Sequence, residues 1–235
     1  MNTAGLNLLI PDKPDVERDA LAGSFAQGGG DVHRIGRFWE PPTFDPATVR
    51  VYGPDAFCLV LQQKIGFRLL SPDDDFLLRL PPELLGRELH LRRLASGPHL
   101  TYPAFVKPVV PKQFRGAVYM SSRELEAECK GLPGDTPVIV SGVVTFDAEV
   151  RCFVLDGKVL DAAAYEGHGA IAEAIAFAGE VIKRLRLPRA LVIDVGHLDG
   201  RGWAVVEFNA AWGAGLNGCE PSRVLPAILA ASAPG

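Results

Sequence analysis

Short apolar runs separated by polar turns recur along the first third of the chain. LNLLI at residues 6–10, VHRI at 32–35, VRVYG at 49–53 and FRLLS at 67–71 read as strands. The mixed segment ending at Gln27 and the stretch DAFCLVLQQKIG read as helices stopped by glycine. Such alternation predicts a small α/β unit over residues 1–75. The triplet Gly28-Gly29-Gly30 follows the first helix and does not bridge a strand to a helix, so it reads as a helix stop and not as a phosphate loop. The proline-bearing stretch SPDDDFLLRLPPELL marks a junction.

Beyond the junction the pattern becomes one of hairpins. AFVKPVV and GAVYM flank a short polar loop, SSRELEAECKG has the serine cap and glycine stop of a helix, and TPVIVSGVV reads as another strand. AEVRCFVLDGKVLDAAAY carries a turn at Asp156-Gly157, a helix follows over residues 168–185, and RALVIDVGHL and GWAVVEFNA form a last strand pair. The expected fold class is α+β for this part of the chain.

The last strand raises a chemical question. Alternation places Trp203, Val205, Glu207 and Asn209 on one face. If DGRG at 199–202 forms a four-residue loop, Asp194 lies opposite Glu207, at roughly 5 Å, with Asn209 one pleat away. Two facing carboxylates repel unless something pairs with them. A divalent cation does so, and oxygen-only donors favour Mg²⁺ or Mn²⁺ over zinc. Pairing to nearby arginines is the alternative.

Upstream, Lys107 interrupts an apolar strand and is followed by a loop holding Lys112, Arg115 and Gly116. A strand lysine is usually a snorkelling edge residue; three cations on one hairpin suit a polyphosphate and a loop that closes over it. In FDAEVRCFV, Glu149 and Arg151 share a face, either as a plain ion pair or with the arginine reaching a phosphate and a carboxylate substrate.

Composition narrows the classes. The 235 residues carry a net charge of −4 and no lysine or arginine run, so no nucleic-acid partner is expected. Four cysteines lack a CxxC pair, which suits reduced thiols in a cytoplasm, and the histidines show no zinc spacing. No apolar run approaches the roughly 18 residues a membrane helix needs, so a soluble cytoplasmic protein is expected.

The order of motifs (strand lysine, glycine-containing hairpin, hinge, E-x-R strand, helix, IDVG, EFNAAWGAG) resembles the ATP-grasp superfamily over about residues 75–230. EVRCFV and EFNAAWG are similar to stretches of the ribosomal-protein glutamate ligase type, and the short N-terminal unit resembles the small prokaryotic and phage-associated clade. The resemblance implies an ATP-grasp fold, two α+β lobes clasping ATP, preceded by a pre-ATP-grasp α/β domain over 1–75, with an N-lobe over 76–140 and a C-lobe over 141–235. It implies ATP and Mg²⁺ (or Mn²⁺) as cofactors. Lys107 contacts phosphates, assisted by Lys112 and Arg115. Residues 138–143, including Val140, Ser141 and Val143, form the adenine hinge, with Ser141 where many relatives carry a ribose-binding glutamate. Glu149 belongs to the nucleotide-binding set. Asp194, Glu207 and Asn209 hold the metal, and Arg151 and Lys107 are catalytic. Arg79, or else Arg92 or Arg93, stands in for an earlier N-lobe lysine, and Trp212 occupies a position where relatives have proline. The implied activity is ligation of a small-molecule or peptide carboxylate to an amine through an acyl phosphate. A phosphotransferase on the same fold and a nucleotide-binding module without turnover are the alternatives.

Overall fold

The computed structural model describes residues 1–233. The chain begins with β1 (Asn7–Pro11), α1 (Val16–Gln27), β2 (Asp31–Ile35), β3 (Val49–Val51), α2 (Asp55–Ile65) and β4 (Arg68–Leu69). Asp15 caps α1 by accepting the Arg18 N–H at 3.0 Å, and the Gly28 N–H closes its last turn. The glycine triplet is thus a helix stop, as its position implies. The strands pair in parallel in the order β2-β1-β3, with the wholly buried Leu8, Leu9 and Ile10 at the centre.

Residues 73–147 and 197–205 form a separate compact unit. It holds a 3₁₀ turn at Phe76–Arg79, α3 (Pro82–Leu85), β5 (Leu89–Arg93), a second 3₁₀ turn at Leu94–His99, β6 (Ala104–Pro108), β7 (Ala117–Tyr119), α4 (Ser122–Glu128) and β8 (Pro137–Ser141). The sheet order is β5-β8-β6-β7, and the pairs are antiparallel. One face is packed by Ala104, Val106, Tyr119, Val138 and Val140 together with Leu125 of α4. Ser121 caps α4 as the sequence implies. The edge strand β5 escapes periodicity because residues 90–93 are exposed on both faces.

The last third supplies β9 (Ala148–Leu155), β10 (Lys158–Gly167), α5 (Ile171–Arg184), β11 (Ala190–Leu198), β12 (Gly202–Asn209), α6 (Pro221–Ala230) and β13 (Ser232–Ala233). Neighbours run β10-β9-β11-β12, and the β9–β10 turn places Asp156 and Gly157 at φ 47° and 77°, the two positive values of a type I′ hairpin. α5 begins at Ile171, later than the apolar spacing suggests. The β11–β12 connection is also tighter than the expected four-residue loop: the Arg201 N–H reaches the Leu198 carbonyl at 3.0 Å, closing a β-turn so that β12 begins at Gly202. Periodicity assigned nothing after Asn209, where the structure has α6, with Pro221 in its first turn and Pro226 inside.

Residues 1–72, 148–196 and 206–235 make up the other compact unit. Its described residues share one core, in which Leu8, Leu21, Phe25 and Leu61 meet Phe153, Val192, Trp212, Val224 and Ile228. The mixture of helices, antiparallel pairs and one parallel sheet is the α+β class expected of the chain. No helix among the described residues is long and apolar enough to cross a membrane.

Candidate active site

Asp194 lies on β11 among buried apolar neighbours and is itself 0% exposed. Charge at such a position must be paired. Arg151, on the adjacent strand β9, donates Nε to Asp194 Oδ1 at 2.9 Å and Nη2 to Oδ2 at 2.7 Å. Asn209 Nδ2 donates to Asp194 Oδ2 and to Glu207 Oε1, each at 2.9 Å. The three residues selected from strand alternation therefore meet, and the arginine alternative also holds for Asp194. Burial pushes the Asp194 carboxyl up, and the bonds from Arg151 oppose it.

Further carboxylates lie near this cluster. Glu149 accepts from the Tyr165 hydroxyl, and Arg151 lies over the Tyr165 ring with its Cζ 5.6 Å from the centroid. Burial raises the Glu149 carboxyl; the Tyr165 bond lowers it, and Glu166, Asp194 and Glu207 raise it further. Glu149 and Arg151 share a face but not an ion pair: the arginine goes to Asp194. Its Nη1 donates to the Gly215 carbonyl at 2.9 Å. Of the five N–H groups of a guanidinium, three are thus engaged within the protein.

In the other compact unit, Lys107 sits on β6 opposite Ile139 of β8. Its neighbours Val106 and Pro108 are buried, so the lysine projects from the face away from the core, together with Phe105 and with Ser141. The Ser141 hydroxyl donates to the Gly142 carbonyl at 2.9 Å. Val140 turns into the core at 8% exposure, whereas Val143 lies beyond the strand and is exposed. Lys112 is exposed at φ 66°, and the exposed Arg115 donates its backbone N–H to Glu128 of α4 at 3.2 Å. Arg79 is held locally by Asp73 and Asp75. Register puts Arg93 on the Lys107 face and Arg92 on the opposite one.

Residues 84–227 match the model of an ATP-grasp domain family, the second family of its clade. The chain belongs to that family. The resemblance carried by EVRCFV and EFNAAWG is borne out, and with it the ATP-grasp fold. Among solved structures, a RimK domain ATP-grasp protein from Sphaerobacter thermophilus superposes with a TM-score of 0.63 at 18% identity, covering 95% of this chain and 100% of that one. D-cycloserine synthetase gives 0.59 at 16% identity, covering 95% and 98%. D-alanine–D-alanine ligase from Bacillus anthracis gives 0.54 at 12% identity, covering 95% and 96%. None of the curated proteins matches.

Sequence reasoning missed Tyr165 and Glu17. Tyr165 reads as one more strand aromatic until β10 pairs with β9 and brings it over Arg151. Glu17, whose carboxylate accepts the Leu216 and Asn217 amides, looks like an ordinary first-turn acid of α1. No local signal distinguishes either of them.

Proposed function

We propose that the protein is an ATP-dependent carboxylate–amine ligase. The observation that carries this reading is the cluster of Asp194, Glu207 and Asn209 held by Arg151 in an ATP-grasp chain. Among the described residues no group of three or more His, Cys, Asp or Glu is placed to hold a metal; here the third member is an amide. The donor set suits a hard cation. Asp194 accepts three bonds of the roughly four a carboxylate can take. The Asn209 N–H bridges two carboxylates, and half a turn of its amide replaces that donor by a carbonyl oxygen.

Asp194, Glu207 and Asn209 would hold Mg²⁺ or Mn²⁺, which when bound neutralises the charge of phosphate oxygens. Lys107, Lys112 and Arg115 bind the phosphates, and the 138–143 segment offers the adenine its backbone groups. The N–H groups of Arg151 not used by Asp194 and Gly215 face the transferred phosphoryl group. A substrate carboxylate oxygen attacks the γ-phosphorus and ADP leaves; the amine nitrogen then attacks the acyl carbon, phosphate leaves, and the amine proton passes to solvent. The protein's part is positioning and charge neutralisation.

The test is phosphate release from Mg²⁺-ATP with panels of amino acids, peptides and amines, combined with mass analysis of the products. Release that needs both a carboxylate and an amine, with a product lighter by one water than their sum, supports ligation. A stable phosphorylated product with one substrate alone would make it a phosphotransferase. Binding of ATP without turnover on any panel would reduce it to a nucleotide-binding module.

A further inference from the structure

Glu17 stands at the second position of α1, yet its carboxylate is directed to the segment that follows Asn209. Oε2 accepts the Leu216 N–H and Oε1 the Asn217 N–H, each at 2.8 Å, across about 200 residues of sequence. The backbone carbonyls of the same segment are held as well. The Trp212 carbonyl accepts the Gly53 N–H at 3.1 Å, the Ala214 carbonyl accepts the Tyr52 hydroxyl at 2.9 Å, and the Gly215 carbonyl accepts Arg151 Nη1 at 2.9 Å. Gly215 is pressed between the two charges: a Cβ there would lie 3.0 Å from Glu17 Oε2 and 3.7 Å from Arg151 Nη1.

These contacts form a chain. Glu17 fixes the amides of Leu216 and Asn217, the peptide group that holds the Leu216 N–H also carries the Gly215 carbonyl, that carbonyl orients Arg151, and Arg151 aligns both oxygens of Asp194. We propose that Glu17 is a positioning residue: by pinning the 215–217 backbone it holds Arg151 against Asp194 and so sets the cation affinity of the Asp194–Glu207–Asn209 cluster. The inference rests on the metal-binding reading of that cluster. Removing partners that orient a ligand typically costs about ten- to a hundredfold in metal affinity, and Glu17 acts one step further out.

Glu17→Gln tests it while preserving size. A carboxamide replaces one of the two accepting oxygens by an NH2 donor, so one of the two amides loses the oxygen that now accepts it. Hydrogen exchange at Leu216 and Asn217 in the ligand-free protein should accelerate about fivefold, the equivalent of one hydrogen bond. The Mg²⁺ concentration giving half of the ATP-dependent rise in Tm should move up about three- to tenfold. Glu17→Ala should exceed both shifts, and melting of each variant without ligand verifies that it is folded. Unchanged exchange would overturn the anchor. Faster exchange with an unmoved Mg²⁺ midpoint would leave Glu17 a fastening of the loop alone and overturn its positioning role. If the wild type showed no Mg²⁺-dependent rise at all, the metal reading would fall and this inference with it; that failure is told apart by its appearance in the unmutated protein.

Discussion

Arg151, on a strand adjacent to that of Asp194 in one sheet, grips both carboxylate oxygens with hydrogen bonds of 2.9 and 2.7 Å. A fork-to-fork pair of this kind fixes orientation as well as charge. Arg151 therefore has a structural load in addition to any contact with phosphate.

Removing the arginine should weaken the fold before chemistry is considered. Arg151→Ala leaves a buried carboxylate without its cation and should lower the unfolding free energy by about 3–5 kcal/mol. Chemical denaturation reads this directly. A loss under about 1 kcal/mol would show that water or another group replaces the guanidinium.

Glu207 gives a cleaner probe of the metal, because Asp194 keeps its arginine when Glu207 is changed. Mg²⁺-ATP should raise the Tm of the wild type, and Glu207→Gln should remove most of the Mg²⁺-dependent part of that rise, since ligand affinity appears as stability. A variant with the full wild-type increment would exclude Glu207 from the cation site.

The segment from Val109 to Gly116, with Lys112 in the left-handed region at φ 66°, is the candidate phosphate cover. Its amides should exchange more slowly when a non-hydrolysable ATP analogue is bound with Mg²⁺. Protection elsewhere with none in this loop would assign the covering role to another segment.

Glu149 should give the protein a pH signature. Its carboxyl is raised in the folded state above the ordinary 4.5, chiefly by burial, so the folded state keeps this proton longer than the unfolded chain does. The sign follows: its contribution is fully present below about pH 4.5 and is lost as pH rises through the folded value. The stability difference between wild type and Glu149→Gln, measured from about pH 4 upward, should shift in favour of the glutamine variant over that window. Because the Tyr165 hydroxyl lowers the carboxyl, Tyr165→Phe should move the window to higher pH.

Much of this was readable without coordinates. Asp194, Glu207 and Asn209 were legible because they interrupt otherwise apolar strands, and alternation puts Glu207 and Asn209 on one face of β12. The turns at Asp156-Gly157 and the glycine after Ile65 were equally plain. Elements shaped by long-range context were not: β5 is exposed on both faces, and α6 carries a proline in its interior that reads as a break. The partner of Arg151 was ambiguous for a related reason. Strand alternation placed it beside Glu149, but the choice between Glu149 and Asp194 depends on which strand lies next to β9. Glu17 was the least accessible, since its bonds span nearly the whole chain.

The shared core has a consequence for synthesis. Leu8, Leu21 and Phe25 pack with Val224 and Ile228, and β13 pairs Ser232 with Leu69 of β4. A nascent chain that has emerged only as far as residue 147 already contains nearly all of the unit formed by residues 73–147 and 197–205, while its first 72 residues still lack the apolar surface they are to be buried against. Domains tend to fold in order of emergence, but here the earliest segment is the one whose core is completed last: its apolar face stays uncovered until residues near 230 have been added.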